Sequence, residues 1–259
     1  MTGVRSAHAV PAGSPDPAAG AAFVPDPVAG RIFATSRLVR TTDVTPSGRL
    51  RLDAIARYLQ EAAEDDVSGS GWDEPYDWLL RRCVLSIAGY PMHRDEVRVR
   101  TFCSGLGLRW AERTTTVSAA AGDLIQSRAI WVAVARDTGA PAPLSDQFRS
   151  VYGESAQGRR VTARLHHPGP DPVLGGRPWP VRAADFDPAG HVNNTVHWSA
   201  AEDALADLDW LPSAAEIEYQ QPILPDAQPR LIVGEHLPSG VDVWLMDGQD
   251  RMVSVRLLA

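Results

Sequence analysis

The chain has 259 residues, is 44% hydrophobic, and carries a formal net charge of -7 with arginine as its only strong base. That length buries a sizeable core in one large domain or two of ordinary size, and the acidic balance excludes a general nucleic-acid binder. Two cysteines, Cys83 and Cys103, are too few for a disulfide framework and lack metal-ligand spacing, so they read as small buried apolar residues in a reducing compartment, with a cytoplasmic location as the default.

Residues 1–30 are rich in Ala, Pro and Gly and hold no apolar run, which excludes a signal peptide and a membrane span and predicts a disordered leader. Arg31 to Val39 reads as a first strand. From Leu52, apolar residues recur at Ile55, Ala56, Leu59, Ala62 and Ala63, the spacing of a helix with one buried face. Asp53 is its expected cap and Gly69-Ser70-Gly71 its close. The period then becomes two, with strands expected at Cys83 to Ile87, Glu96 to Phe102, Arg109 to Val117 and Ile125 to Val134. Turn residues separate them at Tyr90-Pro91, Ser104-Gly105, Gly122-Asp123 and Asp137 to Gly139. One helix followed by strands on short connections predicts an antiparallel sheet packed on that helix.

From Ser150 to Pro178 the composition shifts to Gly, Pro, Arg and His, a connector with a short strand expected at Val161 to Leu165. Its His166-His167 pair has no further ligands nearby in sequence and reads as exposed loop. No metal site and no cofactor are expected.

The second half repeats the first in shorter form. A helical stripe at His197, Ala201, Ala204, Leu205 and Leu208 precedes strands at Glu216 to Tyr219, Arg230 to Gly234, Val241 to Met246 and Met252 to Leu258. One constant offset carries Val39, Arg40, Asp43, Pro46 and Gly48 onto Val181, Arg182, Asp185, Pro188 and Gly190. Two positions break the likeness: Thr45 stands where Asp187 is, and Arg49 where His191 is. The scaffold is thus expected to be duplicated, with an ionisable acid/base pair in the second copy alone. The expected organisation is a leader (1–30), a first half (31–150), a connector (151–178) and a second half bearing the site (179–259).

In that second copy, Asp187-Pro188 opens a tight turn and Gly190 supplies backbone freedom. Asn193 or Asn194 can cap the helix and leave its first N–H groups beside Asp187 and His191. A carboxylate, an imidazole and a helix N-terminus are the parts needed to hydrolyse an acyl bond. The plainer alternative makes Asp187 a turn former, His191 a satisfied histidine and both asparagines simple caps. Glu202 and Asp203, on the helix, are expected at the solvent face, the alternative being that one of them faces the pocket.

Asp185-Phe-Asp-Pro-Ala-Gly-His-Val-Asn-Asn194 resembles the D-x-D-x-x-G-H-V-N-N signature of the hotdog-fold thioesterases. The chain beyond its leader resembles the acyl-ACP (acyl carrier protein) thioesterases of plants and bacteria, through Pro46 to Leu50, Tyr58 to Ala63, Tyr90-Pro91 with Asp95 to Val97, and Ile130 to Val132. That resemblance implies an α+β tandem (double) hotdog fold, each half a long helix wrapped by a curled antiparallel sheet. It implies hydrolysis of acyl thioesters with Asp187 as nucleophile or general base and His191 as its partner. Asn193 and Asn194 would bind substrate, with backbone N–H groups there receiving the carbonyl oxygen. The implied partners are an acyl carrier protein or a coenzyme A thioester, with no nucleic acid or membrane, in a monomer or homodimer. The chain departs from the plant-type pattern at Ala189, where those enzymes have asparagine, and at Pro222 and Ile223, where they have a Glu-Cys pair. At the acid it is closer to the D-P-A-G form of single-hotdog acyl-CoA thioesterases. The departures leave open a non-catalytic acyl-binding protein. A hotdog hydratase fits less well, because its D-x-N-P-x-H pattern spaces acid and histidine differently. Arg81, Arg82, Arg94, Arg98, Arg100, Arg109 and Arg113 form a candidate patch for an acidic carrier, or else solvated strand faces.

Overall fold

Strands with alternating burial and short turns assemble into one ten-stranded antiparallel sheet in the computed structural model, which describes residues 23–259 apart from 73, 74, 121 and 207. The first half supplies β1 (Phe33–Leu38), helix α1 (Leu52–Ser68), β2 (Asp77–Ile87), β3 (Glu96–Leu106), β4 (Trp110–Ala119), β5 (Gly122–Val134) and helix α2 (Asp146–Ala156). The second supplies β6 (Arg177–Pro178), helix α3 (Trp198–Leu205), β7 (Ala214–Tyr219), β8 (Arg230–Val233), β9 (Gly240–Asp247) and β10 (Asp250–Leu258). Strand order across the sheet is β1-β3-β4-β5-β2-β7-β10-β9-β8-β6. Taken inward from either edge, the two halves follow the same path and meet at an antiparallel β2–β7 pair that sets Cys83 opposite Ile217. The expected duplication is therefore the architecture: two hotdogs sharing one sheet.

The core lies between this sheet and its helices. Leu52, Ile55, Leu59 and Ala62 of α1 join Trp198, Ala201 and Leu205 of α3 in one apolar cluster with Leu85, Val97, Ile217, Val243 and Val255 from strands of both halves. A smaller cluster gathers Trp72, Tyr76, Phe148 and Tyr152 where α2 packs on β3, with Trp72 edge-on to Phe148 at 5.1 Å.

Every expected strand of the sheet is present, with ends shifted by a few residues. Four expectations are corrected. Helix α2 occupies the end of the first half and the start of the connector; Ser145 caps it, accepting the Phe148 N–H at 3.1 Å. Val161 to Leu165 forms no strand, and only Arg160 bridges to Leu106. Asp53 is not the cap of α1, because it pairs with Arg51 while Glu202 Oε1 accepts the Leu52 N–H at 2.6 Å. Helix α3 begins at Trp198, not after the asparagines: successive i to i-3 bonds from Val196, Trp198, Ser199 and Ala200 form a tight lead-in instead. Most of the predicted leader (1–22) lies outside the described residues. Its last part packs, with Asp26 paired to Arg100 at 2.7 Å and Phe23 under the Arg128 guanidinium.

Candidate active site

The two motif loops match bond for bond. In each, a short 3₁₀ turn ends on an aspartate, Asp43 or Asp185, whose carboxylate accepts the N–H of Arg40 or Arg182. Thr45 N–H bonds the Arg49 carbonyl as Asp187 N–H bonds that of His191, and Gly48 and Gly190 both sit at positive φ. Burial pushes Asp185 up, but the Arg182 side chain and N–H more than offset it, so the carboxyl stays below its usual range. Asp43 is held low in the same way, by the Tyr58 hydroxyl, the Arg40 N–H and Arg57 against its burial. These inner acids are structural anchors.

What differs is what each loop faces. The first turns Arg49 across to α3, where it makes a two-pronged pair with Glu202 at 3.0 and 2.7 Å and lies over the Tyr90 ring. Glu202 is thus not at the solvent face, and this copy is closed by a buried ion pair. The second loop faces α1 across a cleft of about 340 Å³ bordered by Gln60, Glu64, Arg113, Trp131, Asp187 and Asn194. A smaller cleft of about 120 Å³ adjoins it, bordered by Asp187, His191, Asn194, His197, Tyr219 and Pro222. Between helix and sheet a narrow apolar slot runs past Leu59, Leu80, Trp198 and Tyr219, again reaching Asn194.

Asp187 is half-buried where the two clefts meet. Its Oδ1 accepts the N–H of Ala189 at 2.9 Å and of His191 at 3.4 Å, which fixes the carboxylate's direction. The structure therefore brings Asp187, His191 and Asn194 to one place. Asn193 borders neither cleft. Its Oδ1 accepts both the N–H and the hydroxyl of Thr195, an Asx turn that shapes the lead-in to α3. Of the N–H groups there, those of Val192, Asn193, Thr195 and Val196 are already bonded within the protein. Among the described residues the Asn194 N–H is one backbone donor at the cleft that no protein acceptor takes up. Its carbonyl accepts from the Tyr219 hydroxyl at 3.0 Å. Ile223 is fully buried and its carbonyl holds Val192, so of the three replaced plant-type positions Ala189 and Pro222 reach a cleft and Ile223 does not.

Sequence reasoning places His197 on the helix stripe and misses its position at the site. It is 3% exposed, edge-on to Tyr219 at 5.5 Å, and borders the smaller cleft with neither ring nitrogen hydrogen-bonded. Burial pushes it down to about 4, against the opposing pull of the Asn194 and Asn193 carbonyls and the Asp187 carboxylate. Those carbonyls are near without reaching hydrogen-bond geometry. A histidine among alanines on an otherwise apolar stripe is the available signal.

The expected arginine patch is not one free surface. Arg81 donates to the Tyr219 and Gln220 carbonyls, Arg113 pairs with Asp66 and Arg100 with Asp26. Arg94, Arg98 and Arg109 are exposed. The reading of His166-His167 as exposed loop holds for His166 and fails for His167, which is 6% exposed, and both histidines lie near Glu216 and Glu218.

Two hotdogs in one chain, with an acid-bearing cleft between the second loop and the first helix, define a double-hotdog thioester hydrolase. Residues 30–152 match the family model described as acyl-ACP thioesterase N-terminal domain. Over that first half the chain is similar to the acyl-ACP thioesterases. It is similar, at 29% identity over 74% of its length and 78% of the other's, to an uncharacterized protein of Mycobacterium tuberculosis. It is 25% identical to the chloroplastic oleoyl-acyl carrier protein thioesterase 2 of Arabidopsis thaliana, over 62% of this chain and 50% of that one. The fold is similar to that of the 12:0-ACP thioesterase from Umbellularia californica, with a TM-score of 0.74, 19% identity, and coverage of 89% and 98% of the two chains.

Proposed function

We propose that the chain hydrolyses acyl thioesters of acyl carrier protein and releases the free fatty acid, with Asp187 as the reacting carboxylate. The observation that carries this is the asymmetry of the two loops: the copy with Thr45 and Arg49 is shut by Glu202, and the copy with Asp187 and His191 opens on a cleft. The acyl chain would enter the larger cleft and the apolar slot. The pantetheine arm would leave through the smaller cleft, so that the thioester carbon comes to Asp187. With Oδ1 held by two N–H groups, Oδ2 is the oxygen that activates water or attacks the carbonyl carbon. Negative charge developing on the carbonyl oxygen is received by the Asn194 N–H at the positive end of the α3 lead-in. Asn193 sets the direction of that N–H through its turn. His191 protonates the departing thiolate from the rim of the smaller cleft.

Thiol release is measured on panels of acyl-ACP and acyl-CoA thioesters with wild type and Asp187→Asn. The expected result is turnover of acyl-ACP that the substitution lowers by about 10²–10⁴-fold at unchanged fold. Turnover of acyl-CoA alone moves the assignment to the other carrier, and an undiminished variant removes Asp187 from the reaction. Tight acyl binding with no turnover in wild type favours a non-catalytic binding protein, the reading to which Ala189 and Pro222 lend weight.

A further inference from the structure

The other face of β7 carries a polar cluster that the proposed reaction leaves unused. Alternation along the strand sends Ile217 and Tyr219 to the helix side and Glu216 and Glu218 away from it. The connector lies across both glutamates, leaving them 5% and 0% exposed. The His166 and His167 N–H groups bond the two Glu218 oxygens at 2.7 and 3.1 Å, so the backbone delivers both imidazoles to the carboxylates.

The spacing of these side chains is unusual for a buried ion pair. His166 Nε2 stands 3.6 Å from Glu216 Oε1 and 3.8 Å from Glu218 Oε1, and His167 Nε2 stands 3.7 Å from Glu216 Oε2. These separations are too long for hydrogen bonds. Glu216 Oε1 and His167 Nε2, each on a side chain more than nine-tenths buried, have no hydrogen-bond partner. Leaving such groups unsatisfied is costly.

Neighbouring side chains set the His167 tautomer. Turned so that its N–H groups meet the Glu218 and Met252 carbonyls, the Gln220 amide presents its oxygen to the Ser254 hydroxyl at 3.1 Å. Ser254 Oγ is then free to accept from His167 Nδ1, also at 3.1 Å. That puts the proton on Nδ1 and directs the Nε2 lone pair at the Glu216 carboxylate. Two electron-rich atoms facing each other are stabilised by a cation that both can bind. Ligands 2.0–2.1 Å from one tetrahedral ion stand about 3.3 Å apart, close to the separations here. The Ser254 bond fixes the direction in which the His167 imidazole meets Glu216.

The geometry points to a divalent transition-metal site of the zinc class, formed by His166, Glu216 and Glu218, whose ligand atoms lie within 4.8 Å of one another, with His167 Nε2 facing Glu216 beside it. Nitrogen donors favour such an ion over magnesium or calcium. Arg81 and Arg251 border the cluster but are committed to backbone carbonyls. Arg82 is the competitor: its Nη1 is 2.9 Å from His166 Nε2 and its Nε 3.6 Å from Glu216 Oε1. In the metal-bound form it withdraws, holding the Arg164 carbonyl it already bonds. The ion would pin the connector to β7, the strand through which the two halves join. This inference is independent of the proposed hydrolysis.

The test is calorimetric titration of the chelator-stripped full chain with Zn²⁺, Mn²⁺ and Mg²⁺, with bound metal counted by elemental analysis. Expected are one equivalent of Zn²⁺ at micromolar Kd or tighter and much weaker Mg²⁺. His166→Ala, at a side chain 26% exposed, and Glu216→Gln should each weaken Zn²⁺ by at least about 10-fold. Arg82→Gln should tighten it. No stoichiometric uptake overturns the site, as does uptake that survives both ligand substitutions or weakens when Arg82 is removed. Circular dichroism of each variant separates a lost ligand from a lost fold.

Discussion

His197 shows how one buried side chain converts position into pH dependence. Its imidazole is kept neutral by burial, at about 4 in the folded chain against 6.5 when exposed. Between those values the unfolded chain binds a proton that the folded chain refuses, so stability rises with pH across this window and is lost on acidification. The displacement corresponds to on the order of 3 kcal/mol between pH 7 and pH 4. Asp43 and Asp185, with lowered carboxyls, act in the same direction at lower pH, because there too the unfolded chain binds the proton first. Their contribution is complete above the ordinary carboxylate value of 3.8 and is lost only as pH falls below it. The windows therefore separate. Urea unfolding at a series of pH values should show a slope between pH 6.5 and 4 in wild type that flattens in His197→Gln, with acid unfolding below that range retained. An unchanged slope in the variant would assign the loss to other groups.

Among the elements, the closest dependence joins the halves in a place neither local pattern reveals. Glu202 of α3 accepts the Leu52 N–H at the start of α1 and both prongs of Arg49, so one carboxylate caps the first helix and closes the first loop. Both side chains are nearly inaccessible, at 9% and 13% exposure. Glu202→Ala leaves Arg49 buried without its counter-charge and should cost about 3 kcal/mol by chemical denaturation. Arg49→Met with Glu202→Leu should recover most of that and remain roughly 1 kcal/mol short, the share of the uncapped N–H. A double variant as unstable as the single would show that the charge pair is not the source. This cap also marks where sequence reasoning stops. Period-two and helical spacings locate α1 and every strand of the sheet except the two-residue β6, and the shared Arg-Asp-Pro-Gly positions locate both loops, because those signals are local. Asp53 looks like a cap because a carboxylate from residue 202 is invisible at residue 52. Helix α2 is hidden by a Pro- and Gly-rich neighbourhood, although Phe148, Tyr152 and Ala156 carry its buried face. Asp187, His191 and Asn194 are legible as a motif. His197 and the Glu216–Glu218 pair are not, since their roles come from burial and from a connector folded over a distant strand.

At the scale of the whole molecule, the joint between the halves is continuous hydrogen-bonded sheet. Five residues from Arg82 to Ser86 pair in register with Glu218 back to Ala214, and the Ile87 N–H continues to the Ser213 carbonyl. Above this seam α1 and α3 share one apolar cluster, so separating the halves would expose a sheet edge and a core face together. The proposed cleft depends on the same seam, because Asp187 comes from one half and Gln60 and Glu64 from the other. Neither half has a complete core or a complete site without its partner. The expected thermal behaviour is one transition in which the calorimetric and van't Hoff enthalpies agree. Loss of thioester hydrolysis should track the same curve. Two resolved transitions, or activity lost well before the sheet melts, would show that the halves are separable units in contact, with the cleft opening by their separation.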